Sequence, residues 1–133
     1  MKKLRTFIEQ YDVTTRPVDT ATINAAERAL NITFTTDYKT WLESVGILSY
    51  EATEVFGLGV KENAWLNILR STVELRQQHH NFPASAVPLM DAEEGHYYLY
   101  DNGNGKIVCW SPLSGVLEIL SDSLESFVLK QIE

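Results

Sequence analysis

Phe34-Thr35-Thr36-Asp37-Tyr38-Lys39-Thr40-Trp41-Leu42-Glu43-Ser44-Val45-Gly46 is the stretch whose reading decides the fold. It reads as a short helix with both ends marked. Thr35 or Thr36 can accept a hydrogen bond from the free amides of the first turn, and Asp37 places negative charge at the positive end of the helix dipole. Tyr38, Trp41, Leu42 and Val45 recur at i, i+3, i+4 and i+7, one apolar face, and Gly46 can adopt the left-handed conformation that closes a helix. Two large aromatic side chains on so short a helix require a deep seat in a core.

Outward from that helix, the N-terminal side is helical. Leu4, Phe7, Ile8 and Tyr11 predict a first helix ending near Asp12, before Pro17. A second is capped by Asp19 or Thr20, carries Ile23, Ala26 and Leu30 inward and stops at Asn31. On the C-terminal side, Glu54 to Val60 is rich in strand formers and reads as the first strand, bent or bulged at its glycines. Ala64 to Leu69 alternates and is expected as a short strand. Ser71-Thr72-Val73-Glu74 has capping-box spacing, which opens a helix that runs to about His80 and is ended by Pro83.

From Ala86 onward the pattern is β. Val87-Pro88-Leu89-Met90 is an apolar run whose proline confines it to a strand start or a sheet edge. Tyr97 to Asp101 and Lys106 to Trp110 flank Asn102-Gly103-Asn104-Gly105 and make a hairpin. Val116 to Leu120 adds a strand. Asp122 and Glu125 give another capping-box spacing, before a final helix with Leu124, Phe127, Val128 and Ile132 inward. The expected fold is α+β: one domain over residues 1–133, with helices packed on one face of a mostly antiparallel sheet of about five to six strands and a β-meander in the second half. Tyr97 and Leu99 point to one side of that sheet and Tyr98 and Tyr100 to the other, so its second face is either partly covered or a binding surface.

Length and charge narrow the function. With 133 residues, 44% of them hydrophobic, the chain can form one packed core. Thr6, Glu9, Gln10 and Asp12 interrupt any signal-like apolar run, no stretch approaches a membrane span, and the lone Cys109 excludes an intramolecular disulfide; a cytoplasmic location is expected. The net charge is −7, and from Gln77 onward eight acids face only Lys106 and Lys130. That balance argues against direct nucleic-acid binding, which needs clustered Lys and Arg, and favours a basic protein partner.

Taken together, Ile23, Glu27 and Leu30, the Ile32 to Leu42 stretch with Gly46, Phe56-Gly57-Leu58, Tyr98-Leu99-Tyr100-Asp101, Val108-Cys109-Trp110 and the Phe127 helix resemble the SUKH superfamily. The family prefers proline where Thr35 stands. The resemblance implies a mixed sheet with several helices and a binding module without chemistry of its own. Its bacterial immunity members sit in the cytoplasm of the toxin-producing cell and neutralise a cognate toxin domain, often a nuclease or deaminase, by binding it. Their toxin contacts vary, so the resemblance assigns no binding residue, and Asp37, Tyr38 and Trp41 read as scaffold.

Residues that could carry chemistry do not converge. His79 and His80, adjacent on a helix, point about 100° apart and cannot share one ion without distortion. His96 with Asp91, Glu93 and Glu94 lacks four fixed ligands. Cys109 lies in an apolar strand and reads as a small buried residue. We therefore expect no catalytic residue, no metal and no cofactor. Asp91, Glu93, Glu94 and Asp101, interleaved with Tyr97 and Tyr98, suit an interface, because carboxylates steer a basic partner and tyrosines anchor it; Glu51, Glu54 and Glu62 form a second acidic set. The expected partner is a cognate toxin domain, bound by a monomer or weak dimer. The alternative is a regulatory module that binds a host protein.

Overall fold

The computed structural model describes residues 2–120 and 123–133. Five helices and seven strands follow one another as α1 (Lys2–Gln10), β1 (Thr14–Thr15), α2 (Thr20–Leu30), α3 (Thr36–Ser44), β2 (Leu48–Tyr50), β3 (Thr53–Val55), α4 (Ile68–Gln78), β4 (Ala86–Glu93), β5 (His96–Asp101), β6 (Lys106–Ser111), β7 (Gly115–Leu120) and α5 (Leu124–Ile132). All strand pairs are antiparallel. β1-β2-β3 form a small sheet and β4-β5-β6-β7 a meander, so the fold is α+β. The strand count exceeds the expected five to six because β1 and β2 are too short to leave a period-two signature. The two sheets meet where the Phe56 amide donates to the Leu89 carbonyl at 2.8 Å. Leu89 is free to accept because the β4–β5 register slips between Pro88 and Met90. Pro88 thus sits at a bulge in an outer strand of the meander, where a missing N–H costs little.

Most caps are where the side chains predict them. Asp19 accepts from the Thr22 amide and Thr35 from the Tyr38 amide, and Asn31 ends α2 at φ 55°. For α5 the cap is Ser123, which accepts from the Ser126 amide; the predicted cap Asp122 lies outside the described residues. Two expectations fail together: Ala64 to Leu69 is not a strand, and Ser71 does not open a helix. Asn67 caps α4 instead, accepting from Leu69 N–H while its own Nδ2 donates to the Val60 carbonyl. Ser71 lies inside α4 with its hydroxyl on the Asn67 carbonyl at 3.1 Å. The cap is a buried asparagine with both ends of its side chain bonded, and Ser71, also buried, lies one turn further into the helix.

α3 is as deep as its two aromatics require: Tyr38, Trp41 and Leu42 have no exposed surface. Gly46 closes it at φ 77°, and a Cβ there would run into the Arg16 carbonyl. A Cβ on Gly57 would strike the Gly46 carbonyl in turn, so three backbone segments pack without side chains between them. α3 and α5 cover one face of the meander, where Tyr38 stacks on Tyr100 at 5.2 Å and Tyr98 meets Phe127 at 5.0 Å. Helical cover is not confined to that face. Leu75 of α4 and Phe82 pack with Ala86, Leu99, Val108 and Trp110 on the other.

Candidate partner-binding cleft

The small sheet brings its β2–β3 hairpin beside the β4–β5 hairpin, and the acids named from the sequence are redistributed by that junction. Glu54 of β3 joins Asp91 and Glu93 of β4 around a cleft of about 200 Å³ whose remaining walls are Ala52, Phe56, Met90 and Trp65. Glu54, Asp91 and Glu93 are all exposed. Trp65 is 46% exposed although its ring lies 5.2 Å from that of Phe56. The cleft is thus an aromatic floor under a rim of three carboxylates. A positively charged side chain entering it would meet opposite charge and a ring face together.

The turns that present these acids adopt left-handed backbone. Glu93 and Glu94 have φ 67° and 53°, and Glu51, in the β2–β3 turn, has φ 52°. Glu94 and Gly95 connect β4 to β5 with φ positive at both, the geometry that favours Asn-Gly. Glu93 follows a second register slip in β4, and its amide donates to the Asp91 carboxylate at 2.8 Å. Glu94 is exposed at the tip, outside the cleft wall, as is Glu51.

The other named residues lie elsewhere. Glu62 lines a separate hollow between α2 and the loop before α4. Asp101 stands at the far end of β5, about 13 Å along the strand from Tyr97. Its Oδ1 accepts from the Gly103 amide at 2.8 Å, a turn contact. Tyr98 packs inward against Phe127. Tyr97 is half-buried beside Trp110; burial raises its phenol pKa first, and the Asp91 and Glu74 carboxylates raise it further. Sequence reading missed Trp65, which it had placed in a strand. Its signal was the polar run Lys61-Glu62-Asn63 just before it, which marks a solvent-facing loop rather than a strand.

The chemistry-bearing groups are apart. His79 is the non-helical cap of α4, with its ring 5.8 Å from that of Trp110. Cys109 is half-buried, and burial, then Glu118, push its thiol up, away from the thiolate a nucleophile needs. Among the described residues no three His, Cys, Asp or Glu side chains are placed to hold a metal ion. No described helix is long and apolar enough to cross a membrane.

No curated protein matches the sequence. A family model does: SUKH_5, described as SMI1-KNR4 cell-wall, matches residues 1–133. With the whole chain matched, and with an α+β fold of two antiparallel sheets and five helices, the protein belongs to the SUKH superfamily.

Proposed function

We propose that this protein is an immunity protein that binds a cognate bacterial toxin domain and blocks its active site in the cytoplasm. It acts by binding and carries no catalysis of its own. The observation that supports this reading best is the cleft, where carboxylates from two sheets converge over an exposed tryptophan. Exposed carboxylates raise the association rate of a basic partner, while a desolvated tryptophan supplies anchoring area. A basic nuclease fits that surface, because its substrate site expects the negative charge of phosphate. Membership of a family with many immunity proteins agrees with it.

Co-expression of this chain with the toxin domain encoded beside it tests the proposal. Growth rescue and a copurifying complex are the expected result. Trp65→Ala should weaken the complex by about 2 kcal/mol, roughly 30-fold in Kd, with the far-UV spectrum unchanged. Glu93→Lys should weaken it further in low salt. A toxin that stays lethal beside the wild-type chain would overturn the immunity reading. A complex indifferent to both substitutions would remove the cleft from it.

A further inference from the structure

α4 ends beside α2 and the loop that leads into β4, and together they enclose a hollow of about 330 Å³, at the small end of the range for ligand pockets. Its lining departs from the charge around it. From Gln77 onward eight acids face two lysines, yet this hollow is lined by Arg76, His79 and His80 and by no Asp or Glu. Arg76 is fixed there without being neutralised. Its Nη1 donates to the Leu30 carbonyl at 2.8 Å and its Nη2 to the Ala84 carbonyl at 3.0 Å, and both acceptors are uncharged. Among the described residues no carboxylate pairs with it; Glu74, on the same helix, is paired with Arg70. Bonds to two separate segments set the plane of the guanidinium and leave its remaining N–H groups for a ligand. His79, the cap of α4, stands against Trp110 with the ring centres 5.8 Å apart, and His80 follows it in an exposed turn.

We propose that this hollow binds a small, doubly charged oxyanion, either inorganic phosphate or the phosphate group of a small metabolite, between Arg76 and the two imidazoles. The adjacent histidines, which cannot share a metal ion, can serve an oxyanion, because it offers separate oxygens to separate donors. Arg76 supplies the planar donor set that recognises phosphate. The carbonyl ends of α2 and α4 work against an anion here. Arg76 offsets the first by bonding the Leu30 carbonyl itself, and protonated imidazoles at the end of α4 offset the second. Affinity therefore depends on histidine charge. Around the two rings α2 contributes Leu30 and Asn31, the loop Phe82 and Ala84, and β6 the Trp110 ring, none of which titrates, so Arg76 is the one other charged group lining the hollow. Binding is weak at about pH 7.5 and strengthens toward about pH 6, where the histidines take up protons. The hollow shares no lining residue with the acidic cleft, so an anion and a basic partner occupy different surfaces.

Titrating the full chain with sodium sulfate, followed by the histidine ring protons in NMR, tests the site without any toxin. Sulfate keeps its double charge at both pH values, and sodium chloride holds the ionic strength constant. The His79 and His80 signals should shift saturably, with a millimolar Kd at about pH 6 that weakens at least about fivefold by about pH 7.5, while His96 stays still. His80→Gln, at an exposed position, should weaken sulfate binding at least about threefold at about pH 6 with the far-UV spectrum unchanged. Arg76→Lys keeps the charge and loses the fork, and should weaken binding further. Inorganic phosphate and ribose 5-phosphate, compared at the lower pH, separate the two sources. Equal affinity supports the free anion as ligand, and tighter binding of the ester supports a phosphorylated metabolite. Signals of His79 and His80 that do not saturate, or that chloride moves as far at equal ionic strength, would overturn the proposal. Binding that His80→Gln leaves unchanged would overturn it too, because the anion would then sit elsewhere.

Discussion

Tyr38 has no exposed surface, and its hydroxyl meets no hydrogen-bond partner. The ring is useful, stacked on Tyr100 and edge-on to Phe34, but the oxygen is buried without compensation. Tyr38→Phe should therefore be neutral or stabilising by up to about 1 kcal/mol at pH 7, read as a urea midpoint at or above wild type. Burial, then the neighbouring Tyr100, raises the Tyr38 phenol pKa far above its ordinary value. The preference for the protonated form is fully present below the ordinary tyrosine range and is lost as pH rises above about 10, where the unfolded chain ionises and the folded one cannot. Tyr38→Phe should accordingly gain on wild type above that pH, and an unchanged alkaline unfolding midpoint would refute the assignment. Glu94 illustrates the opposite compromise. Its φ of 53° suits asparagine better than glutamate, so Glu94→Asn should stabilise the fold by about 0.5–1 kcal/mol in thermal unfolding.

At the scale of elements, α3 is tied to the meander by one short network. The Thr35 amide donates to Asn102 Oδ1 at 2.9 Å, the Thr35 hydroxyl lies 2.7 Å from the Tyr100 hydroxyl, and Asn102 Nδ2 reaches the Ser85 carbonyl at 3.4 Å. Asn102 looks from the sequence like a residue chosen for turn conformation. In the fold it is buried and bridges α3 to the β4 entry. Asn102→Ala should cost about 1–3 kcal/mol in chemical denaturation, since it strands a buried amide. Proline at position 35 would suit the local φ of −66° but would remove both the donor to Asn102 and the hydroxyl. The same reasoning makes Gly57 irreplaceable: Gly57→Ala must move the Gly46 backbone and should cost about 3 kcal/mol or more.

For the whole molecule, the consequence is a surface divided by chemistry, with an acidic cleft on the β4 side and an apolar edge at β7. Complex formation through the cleft should weaken markedly between low and physiological salt. Titrating the complex by light scattering at two ionic strengths checks this, and a salt-insensitive complex would contradict charge steering at the cleft. Local signals made much of this fold readable. The α3 face, the caps at Asp19 and Asn31, the β5–β6 hairpin and the inner face of α5 each rest on residues close in sequence, so propensity and periodicity suffice. What sequence alone determined was therefore the class, the deep helix and an excess of acid in the second half. Tertiary structure decided which acids meet. Glu54 reaches Asp91 and Glu93 where Phe56 bonds to Leu89 across the sheets, and Trp65 joins them from the loop that ends at Asn67, the cap of α4. Those contacts join residues far apart in the chain, and no periodicity encodes them.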